Sequence, residues 1–392
     1  MKNISKSQEF IFLAIVSLFW FAQYVYMPHQ TTFLTSFGIA GSFIGIIIGA
    51  YGVSQLLLRL PVGLMADTVG RHKLFILIGA LSSGLASLIR VIAPGGLGFL
   101  VGNLLSGFAS SMWISFMVFY SNSYTQEEQQ TANSRIILFN NLGILIGFVT
   151  STLFYDRAGM KNICILSLTA GFCAFFLGCF IKEPKEVHNS PSVKELLKVC
   201  LNKHMWVFAT IALIQQGIQL STTMSFTTQV LKDLGASGAV IGAASIVYMV
   251  SSVGFAAFAT SSFCKKKGAR FFIPLVLIMV ALYCILVPSV NNIPVIFILQ
   301  ILPGMSTGIL FSFAVSEAMK GVPREKKSTA MGFFQAFYAL GMTFLPILTG
   351  NVATAFTIKT AYFVLAGVAA AGCVLAICYY SLNSKRHNNI AN

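Results

Sequence analysis

Apolar runs of about twenty residues, the length at which a helix crosses the hydrocarbon core of a bilayer, recur along the whole chain of 392 residues. Lipid offers backbone amides no partner outside their own segment, which forces such runs into helices. The runs predict an all-α polytopic membrane protein with twelve transmembrane helices. The predicted spans are 9–28, 41–66, 73–93, 96–122, 134–155, 160–182, 205–228, 238–261, 270–289, 293–319, 329–352 and 358–381.

Basic residues are distributed unevenly between the two sides of the predicted membrane. An even number of spans places both termini on one side, and most Lys and Arg residues fall on that side, whereas Arg157, Lys161, Lys232 and Lys359 fall on the other. Because basic loops stay in the cytoplasm, we expect a multi-pass protein of the plasma (inner) membrane with both termini cytoplasmic. Contacts with anionic lipid head groups then explain the net charge of +15, and no nucleic-acid partner is expected.

The chain also aligns with itself at an offset of 197 residues, which pairs Gly38 with Gly235 and Tyr51 with Tyr248. Single glycine matches arise by chance, but these keep one register and fall at equivalent points of the topology. The alignment predicts two six-helix pseudo-repeats: an N-terminal bundle over 1–182, a cytoplasmic linker over 183–204 and a C-terminal bundle over 205–392. Parallel repeats joined in this way can rock about a site at the membrane midplane.

The loop after span 2 carries Gly63, Asp67, Gly70, Arg71 and Lys73. This arrangement resembles the signature loop of the major facilitator superfamily. The resemblance implies the twelve-helix fold of that superfamily and a gate at the cytoplasmic end. Asp67 would pair there with Arg71 or face a helix N-terminus while the gate is closed. The alternative is a solvated positive loop with no gating role.

Span 11 contains a set of helix-packing residues, Gly332, Gly341, Pro346 and Gly350. Their spacing resembles a motif that exporters of the superfamily carry in span 5, where this chain has Phe148 in place of the proline. The resemblance implies proton-coupled export, and uptake stays open because the motif lies in the other half of the chain.

Polar side chains at membrane depth are costly and line either a cavity or a helix interface. Arg59 is the deepest ionisable residue, and it either binds an anionic group or pairs with a polar side chain in a packed interface. The candidates for lining a substrate cavity are Gln23, Tyr24, Arg59, Asn103, Asn140, Asn141, Gln215, Gln219, Tyr248, Gln300, Gln335 and Tyr338. Interhelical hydrogen bonding is the alternative for each of them.

Two other polar residues lie near the outer ends of their spans. Arg90, at the end of span 3, is expected to extend its side chain to the membrane surface. His29, at the end of span 1, is expected to be interfacial. In span 4, Asn103 stands where the superfamily pattern has an intramembrane Arg.

The sequence contains no nucleotide-binding loop, metal-ligand cluster or nucleophile constellation, so no cofactor, metal or enzymatic activity is expected. We predict a monomeric secondary active transporter that moves a small organic solute by alternating access, coupled to a proton gradient, with efflux slightly favoured. Uptake of a sugar, amino acid or organic anion is the alternative. A membrane sensor or lipid-acting enzyme ranks last, because such an enzyme would cluster His, Asp or Glu at an interface.

Overall fold

The computed structural model describes residues 5–69, 71–124, 129–183, 202–259, 261–322 and 327–390, which are almost entirely helical. In the N-terminal half the helices are Lys6–Tyr24, Met27–Ser36, Gly41–Val69, His72–Ile92, Gly96–Ser111, Trp113–Asn122 and Gln129–Cys179. In the C-terminal half they are Lys203–Ser221, Thr227–Asp233, Gly238–Ala259, Ser262–Leu286, Ile293–Leu299, Ile301–Met305, Phe311–Ala318, Lys327–Ala355 and Ile358–Ile390.

These helices form the twelve predicted spans. Within the described residues, ten continuous helical stretches are long and apolar enough to cross a membrane. The longest, Arg135–Cys179, is two spans in one stretch. Gly159, with a positive φ of 72°, breaks the helix between span 5 and span 6. Span 7 supplies the remaining crossing as Lys203–Ser221 and Thr227–Asp233, joined by a π-helical turn. The prediction of twelve helices in two repeats is confirmed.

Span 1 is longer than predicted. It runs over Lys6–Ser36, with an interruption at Val25 and Tyr26, whereas the prediction ended it at residue 28. The polar segment Met27–Ser36 has low average hydropathy, but most of its side chains are buried against neighbouring spans. Burial by protein rather than lipid allows a polar sequence to continue the span, and hydropathy alone does not detect that.

The turns between spans repeat in the two halves. Gly38, after span 1, and Gly235, after span 7, both have a positive φ, at 72° and 87°. Such a backbone favours glycine, which explains why the self-alignment finds glycine at both places. Gly268 has a φ of 71° in the turn between spans 8 and 9. Gly70, which stands 198 residues earlier in the turn between spans 2 and 3, lies outside the described residues, as does most of the predicted linker over 183–204.

The halves meet closely at the end of the bundle opposite the termini, which we call the far end. Span 2 packs on span 11, and a Cβ added at Gly45 would lie 2.4 Å from the carbonyl oxygen of Pro346. Span 5 packs on span 8, where a Cβ at Gly242 would lie 2.1 Å from Oγ1 of Thr152. Glycines therefore allow the backbones to approach, as in other membrane bundles.

Candidate functional site

Arg59 of span 2 reaches across the boundary between the halves. It is 4% exposed, and its Nη1 donates to Oε1 of Gln335 at 2.8 Å and to the hydroxyl of Tyr338, both on span 11. Its guanidinium also lies over the Tyr338 ring, 5.2 Å from the centroid. Among the described residues no carboxylate pairs with it, and its buried Nε has no hydrogen-bond partner. Neutral partners from the other half therefore hold this guanidinium.

A ring of neutral polar groups lies in the C-terminal half. Gln219 donates to the hydroxyl of Tyr248, and Thr307 donates to Oε1 of Gln219 at 3.2 Å. The Tyr248 hydroxyl lies 3.0 Å from Oγ1 of Thr307 and donates to it, because the only hydroxyl hydrogen of Thr307 is already used. Gln215 donates to Oε1 of Gln219 at 2.9 Å. The ring thus joins spans 7, 8 and 10.

Two π-helical turns border this ring. Thr222–Phe226 interrupts span 7, and Ser306–Leu310, which contains Thr307, interrupts span 10. Turns of this type occur frequently at functional sites. Non-α backbone at membrane depth is tolerated where it is buried in protein or lines a cavity. Both conditions favour a binding role for this part of the C-terminal half.

The N-terminal half places tyrosines opposite the ring. Tyr51 of span 2 lies 2.8 Å from Oγ of Ser110. Tyr24 of span 1 lies near Tyr51 and near Tyr248 of the other half. The structure therefore brings the predicted candidates Tyr24, Gln219 and Tyr248 towards one polar region between the halves, and adds Tyr51, Ser110 and Thr307.

Several polar atoms of the N-terminal half are buried without a hydrogen-bond partner among the described residues. They include both polar atoms of Gln23, Oε1 of Gln55 and Nε1 of Trp20. An unsatisfied buried polar atom costs about 1–3 kcal/mol. A bound polar solute or water recovers that free energy, so such atoms mark places where a ligand with donors and acceptors fits.

Arg90 lies inside the N-terminal half, and the expectation that it reaches the membrane surface is wrong. It is 1% exposed, and its Nη2 donates to Tyr26, Asn103 and Ser106 at 2.8–2.9 Å. The guanidinium also stacks on the Tyr26 ring, with a centroid distance of 3.9 Å. Gly102 leaves room for it, since a Cβ there would lie 2.8 Å from Nε. Polar neighbours on spans 1 and 4 hold the charge inside.

Asn103 is therefore engaged within its own half. Its Oδ1 accepts from Arg90 and its Nδ2 donates to the carbonyl of Ile47 at 2.7 Å. Span 4 lacks the intramembrane cation of the superfamily pattern, and Arg90 of span 3 places a cation beside Asn103 instead. Gln300, another predicted cavity residue, is also buried within one half, where its Oε1 accepts from Tyr283 at 3.5 Å. Asn140 and Asn141 are half-buried on span 5.

Only part of the predicted gating loop is described in side-chain detail. Lys73 donates from Nζ to the carbonyls of Cys179 and Ile181 at 2.8 and 2.7 Å, and so ties span 3 to the end of span 6. Arg71 is exposed. A Cβ added at Gly63 would meet only Ile114, at an ordinary 3.8 Å, so close packing does not require a glycine there. The side chain of Asp67 and all of Gly70 lie outside the described part.

The span 11 residues differ in how tightly they pack. A Cβ at Gly341 would lie 2.0 Å from the carbonyl oxygen of Leu213 on span 7, and one at Gly350 would lie 2.2 Å from that of Gly41 on span 2. Gly332 has ordinary space around it. Pro346 faces Gly45 on span 2. Span 11 thus contacts both halves through its far-end portion.

The far end also carries polar contacts between the halves. His29 is fully buried, not interfacial, and its ring nitrogens lie 2.9 Å from Oγ of Ser151 and from the carbonyl oxygen of Gly238. Oδ2 of Asp156 accepts from the backbone N–H of Ala239 at 3.0 Å, at the first turn of span 8. A carboxylate there satisfies a free N–H and faces the positive end of the helix. These contacts link spans 1 and 5 to span 8.

Twelve helices in two repeats, with a polar region between them, are an arrangement that secondary transporters use. The model of the Major Facilitator Superfamily matches residues 10–231 and 216–392. The chain belongs to this superfamily.

Relatives and solved structures agree with that assignment. "Uncharacterized MFS-type transporter MJ1560" of Methanocaldococcus jannaschii is 22% identical over 357 residues, 86% of this chain and 88% of the relative. "Uncharacterized transporter BU466" of Buchnera aphidicola is 24% identical over 174 residues, which cover 42% of this chain and less than half (43%) of the relative. The fold is similar to that of a point mutant of the nucleoside transporter NupG, with a TM-score of 0.77, 15% identity and coverage of 94% and 98% of the two chains.

Proposed function

We propose that the chain is a secondary transporter that carries a small organic solute through the polar region between its halves by alternating access. The observation that carries this proposal is the placement of Arg59: a buried charge bridges the halves through neutral partners only, at the depth where a substrate would bind. Rocking of the bundles 1–182 and 205–392 about this region, connected by the linker 183–204, would expose it to each side in turn.

The proposed gate at the other end of the bundle consists of Gly63, Asp67, Gly70, Arg71 and Lys73. Lys73 is already bound within its own half, so it anchors the loop while Asp67 and Arg71 form and break contacts. The proposed orientation places both termini in the cytoplasm of a cell with the protein in its plasma (inner) membrane, as a monomer in contact with anionic lipid. Labelling of single cysteines near each terminus from one side of intact cells tests the orientation.

Proton-coupled efflux is the proposed mode of transport. The span 11 residues Gly332, Gly341, Pro346 and Gly350 support it through their likeness to the exporter motif. Efflux by antiport moves the solute outward while protons move inward. In proteoliposomes, an imposed pH gradient should therefore accelerate solute movement in the direction opposite to the proton flow. Solute movement along with the protons would instead establish symport, and equal rates without a gradient would exclude proton coupling.

Uptake of an organic anion is the second candidate, and Arg59 is the observation that favours it. A buried guanidinium binds carboxylates and phosphates in a bidentate manner. Sugars, amino acids and nucleosides instead fit the neutral ring at Gln219, Tyr248 and Thr307. Nucleosides are the solute named for a solved structure of similar fold.

Thermal stabilisation of the purified protein by a solute library separates these classes, because a ligand that binds the folded state raises its stability. For an anionic hit, Arg59→Gln should lower affinity by at least about tenfold, since a hydrogen bond to a charged group contributes about 1.5–3 kcal/mol. Arg157→Gln, at the outer end of span 5, is the matched control. A solute that binds equally well to Arg59→Gln would not be recognised through the Arg59 charge. If a folded sample gave no hits at all, that result would contradict the small-solute proposal.

A further inference from the structure

A small cleft lies within the C-terminal half, behind the neutral ring. Spans 7, 9 and 10 enclose it. Its polar lining consists of Gln215, Gln219, Thr222, Tyr283 and Ser306. Its interior has room for a species about the size of one water molecule.

The lining has an acceptor that nothing in the described structure satisfies. Gln215 is 1% exposed, and its Oε1 has no hydrogen-bond partner among the described residues. Three of the neighbouring donors are already used: one N–H of Gln219 on Tyr248, the hydroxyl of Thr307 on Gln219, and the hydroxyl of Thr222 on the carbonyl of Ile218 at 2.8 Å. Oε1 of Gln215 and the hydroxyl oxygens of Thr222 and Ser306 therefore keep lone pairs available at the cleft.

The backbone is irregular at the same place. Thr222 and Ser306 are the first residues of the two π-helical turns, so both interruptions begin at the cleft. In transporters, interrupted helices at the membrane midplane are where monovalent cations are coordinated.

The equivalent place in the N-terminal half already contains a cation. At the 197-residue offset, Gln215, Gln219, Thr222 and Ser306 correspond to Leu18, Ala22, Val25 and Ala109, all apolar. The adjoining position Pro303 corresponds to Ser106, which accepts from Arg90. Val287 stands where the N-terminal half has Arg90. One half thus has a fixed positive charge and the other has oxygens with no positive side chain among them.

We propose that the cleft binds one Na⁺ ion, with Oε1 of Gln215, Oγ1 of Thr222 and Oγ of Ser306 among its ligands. The donor set is neutral and lacks the carboxylates with which proteins bind Mg²⁺ and Ca²⁺. The single-atom size of the cleft excludes an organic group. The site depends neither on the solute nor on the direction of transport proposed above.

Thermal unfolding of the purified protein in NaCl, KCl or choline chloride at constant ionic strength tests the site. Na⁺ should raise the melting temperature by about 2–4 °C between trace and saturating concentrations, and K⁺ and choline should not. Equilibrium binding of ²²Na⁺ should saturate at one ion per chain. Equal shifts in all three salts, or no ²²Na⁺ binding, would mean that the cleft holds water and would overturn the proposal.

Variants locate the ion. Gln215→Leu should abolish the Na⁺-specific shift. Gln55→Leu is the matched control, because Gln55 is also a fully buried glutamine with an unpaired Oε1, but in the other half. It should keep the shift. If Gln215→Leu does not fold, Ser306→Ala should weaken ²²Na⁺ binding at least tenfold. Retention of full Na⁺ binding by the folded variants at Gln215 and Ser306 would contradict the assignment, whatever the outcome of solute-binding experiments.

Discussion

The two halves of the molecule share a backbone plan but fill their polar interiors differently. The pair Tyr51 and Ser110 in the N-terminal half corresponds, at the offset of 197, to Tyr248 and Thr307 in the C-terminal half, and each pair is hydrogen-bonded. Both halves also interrupt their first and fourth spans at matching places. The repeat thus preserves the tyrosines and helix breaks that surround the region between the halves.

The difference lies deeper within each half. Asn103 corresponds to Gln300, and each accepts a hydrogen bond from the preceding span, but the donor is the cation Arg90 in one half and the neutral Tyr283 in the other. A permanent charge fixes the N-terminal interior. The C-terminal interior keeps neutral groups and a cleft. The comparison thus separates a half with a fixed internal charge from a half with a neutral interior and a cleft.

The largest effect is expected from removal of the buried charge. Arg90→Met would leave the side chains of Tyr26, Asn103 and Ser106 without their donor, so we expect a loss of about 3 kcal/mol in the free energy of unfolding. Tyr283→Phe, at the neutral counterpart, should cost only about 1 kcal/mol. Denaturant unfolding in detergent measures both. Equal losses would remove the proposed difference between the halves.

The next effect tests a feature that the halves share, the close packing of a glycine against the backbone of a neighbouring span. Gly143 packs on the backbone of Ser17, with a Cβ-to-carbonyl distance of 2.3 Å, much as Gly341 packs on Leu213. Gly143→Ala and Gly341→Ala should therefore each destabilise the protein by about 1–3 kcal/mol through overpacking. Gly367→Ala, where nothing lies within 4 Å of the added Cβ, is the control. A tolerated change at only one of the two packed sites would show that the halves are not packed alike.

A smaller effect is expected at the far end, where a polar side chain of the N-terminal half has an apolar counterpart in the C-terminal half. His29 corresponds to Phe226 at the same offset. His29→Phe would remove the hydrogen bonds to Ser151 and Gly238, and should destabilise the far-end closure by about 1–2 kcal/mol. The measurement is the rate at which a thiol reagent labels a cysteine introduced at Ser42. The rate should rise about five- to thirtyfold, and an unchanged rate would show that the His29 hydrogen bonds do not help to keep this end closed.

The smallest effects concern the matched tyrosines. Tyr51→Phe removes one hydrogen bond and should cost about 1 kcal/mol or less. Tyr248→Phe also breaks the ring with Gln219 and Thr307, so its cost should be the larger of the two. Unfolding curves of the two variants, collected in parallel, measure the difference. The reverse order would contradict the proposed ring.

The fold follows from the sequence because apolar length, basic loops and the repeated turn glycines each depend on local residues. Gly38 and Gly235 mark the same turn in both halves because the positive φ of that turn favours glycine, a requirement that one residue of the sequence reveals. Tyr51 was missed as a site residue although its pairing with Tyr248 in the repeat was a sufficient signal.

The burial of Arg90 and His29 was not predictable in the same way. Distance from a span end suggests exposure, whereas the actual location depends on partners from other spans, Tyr26 and Asn103 for Arg90 and Ser151 and Gly238 for His29. Similarly, the sequence near Thr222 and Ser306 contains no signal for π-helical turns. Such features arise from packing between helices that are distant in the chain.

The central claim, that the halves rock about the Arg59 region, is tested most directly by two distances in one membrane-embedded sample. After replacement of the eight native cysteines, spin labels on Ser42 and Thr354 report the far end, where these residues are in contact, and labels on Phe180 and Lys266 report the end that carries the termini. We expect a stabilising solute or a change of ion gradient to shift the two distance distributions in opposite directions. Two distances that stay fixed, or that lengthen and shorten together, would contradict it.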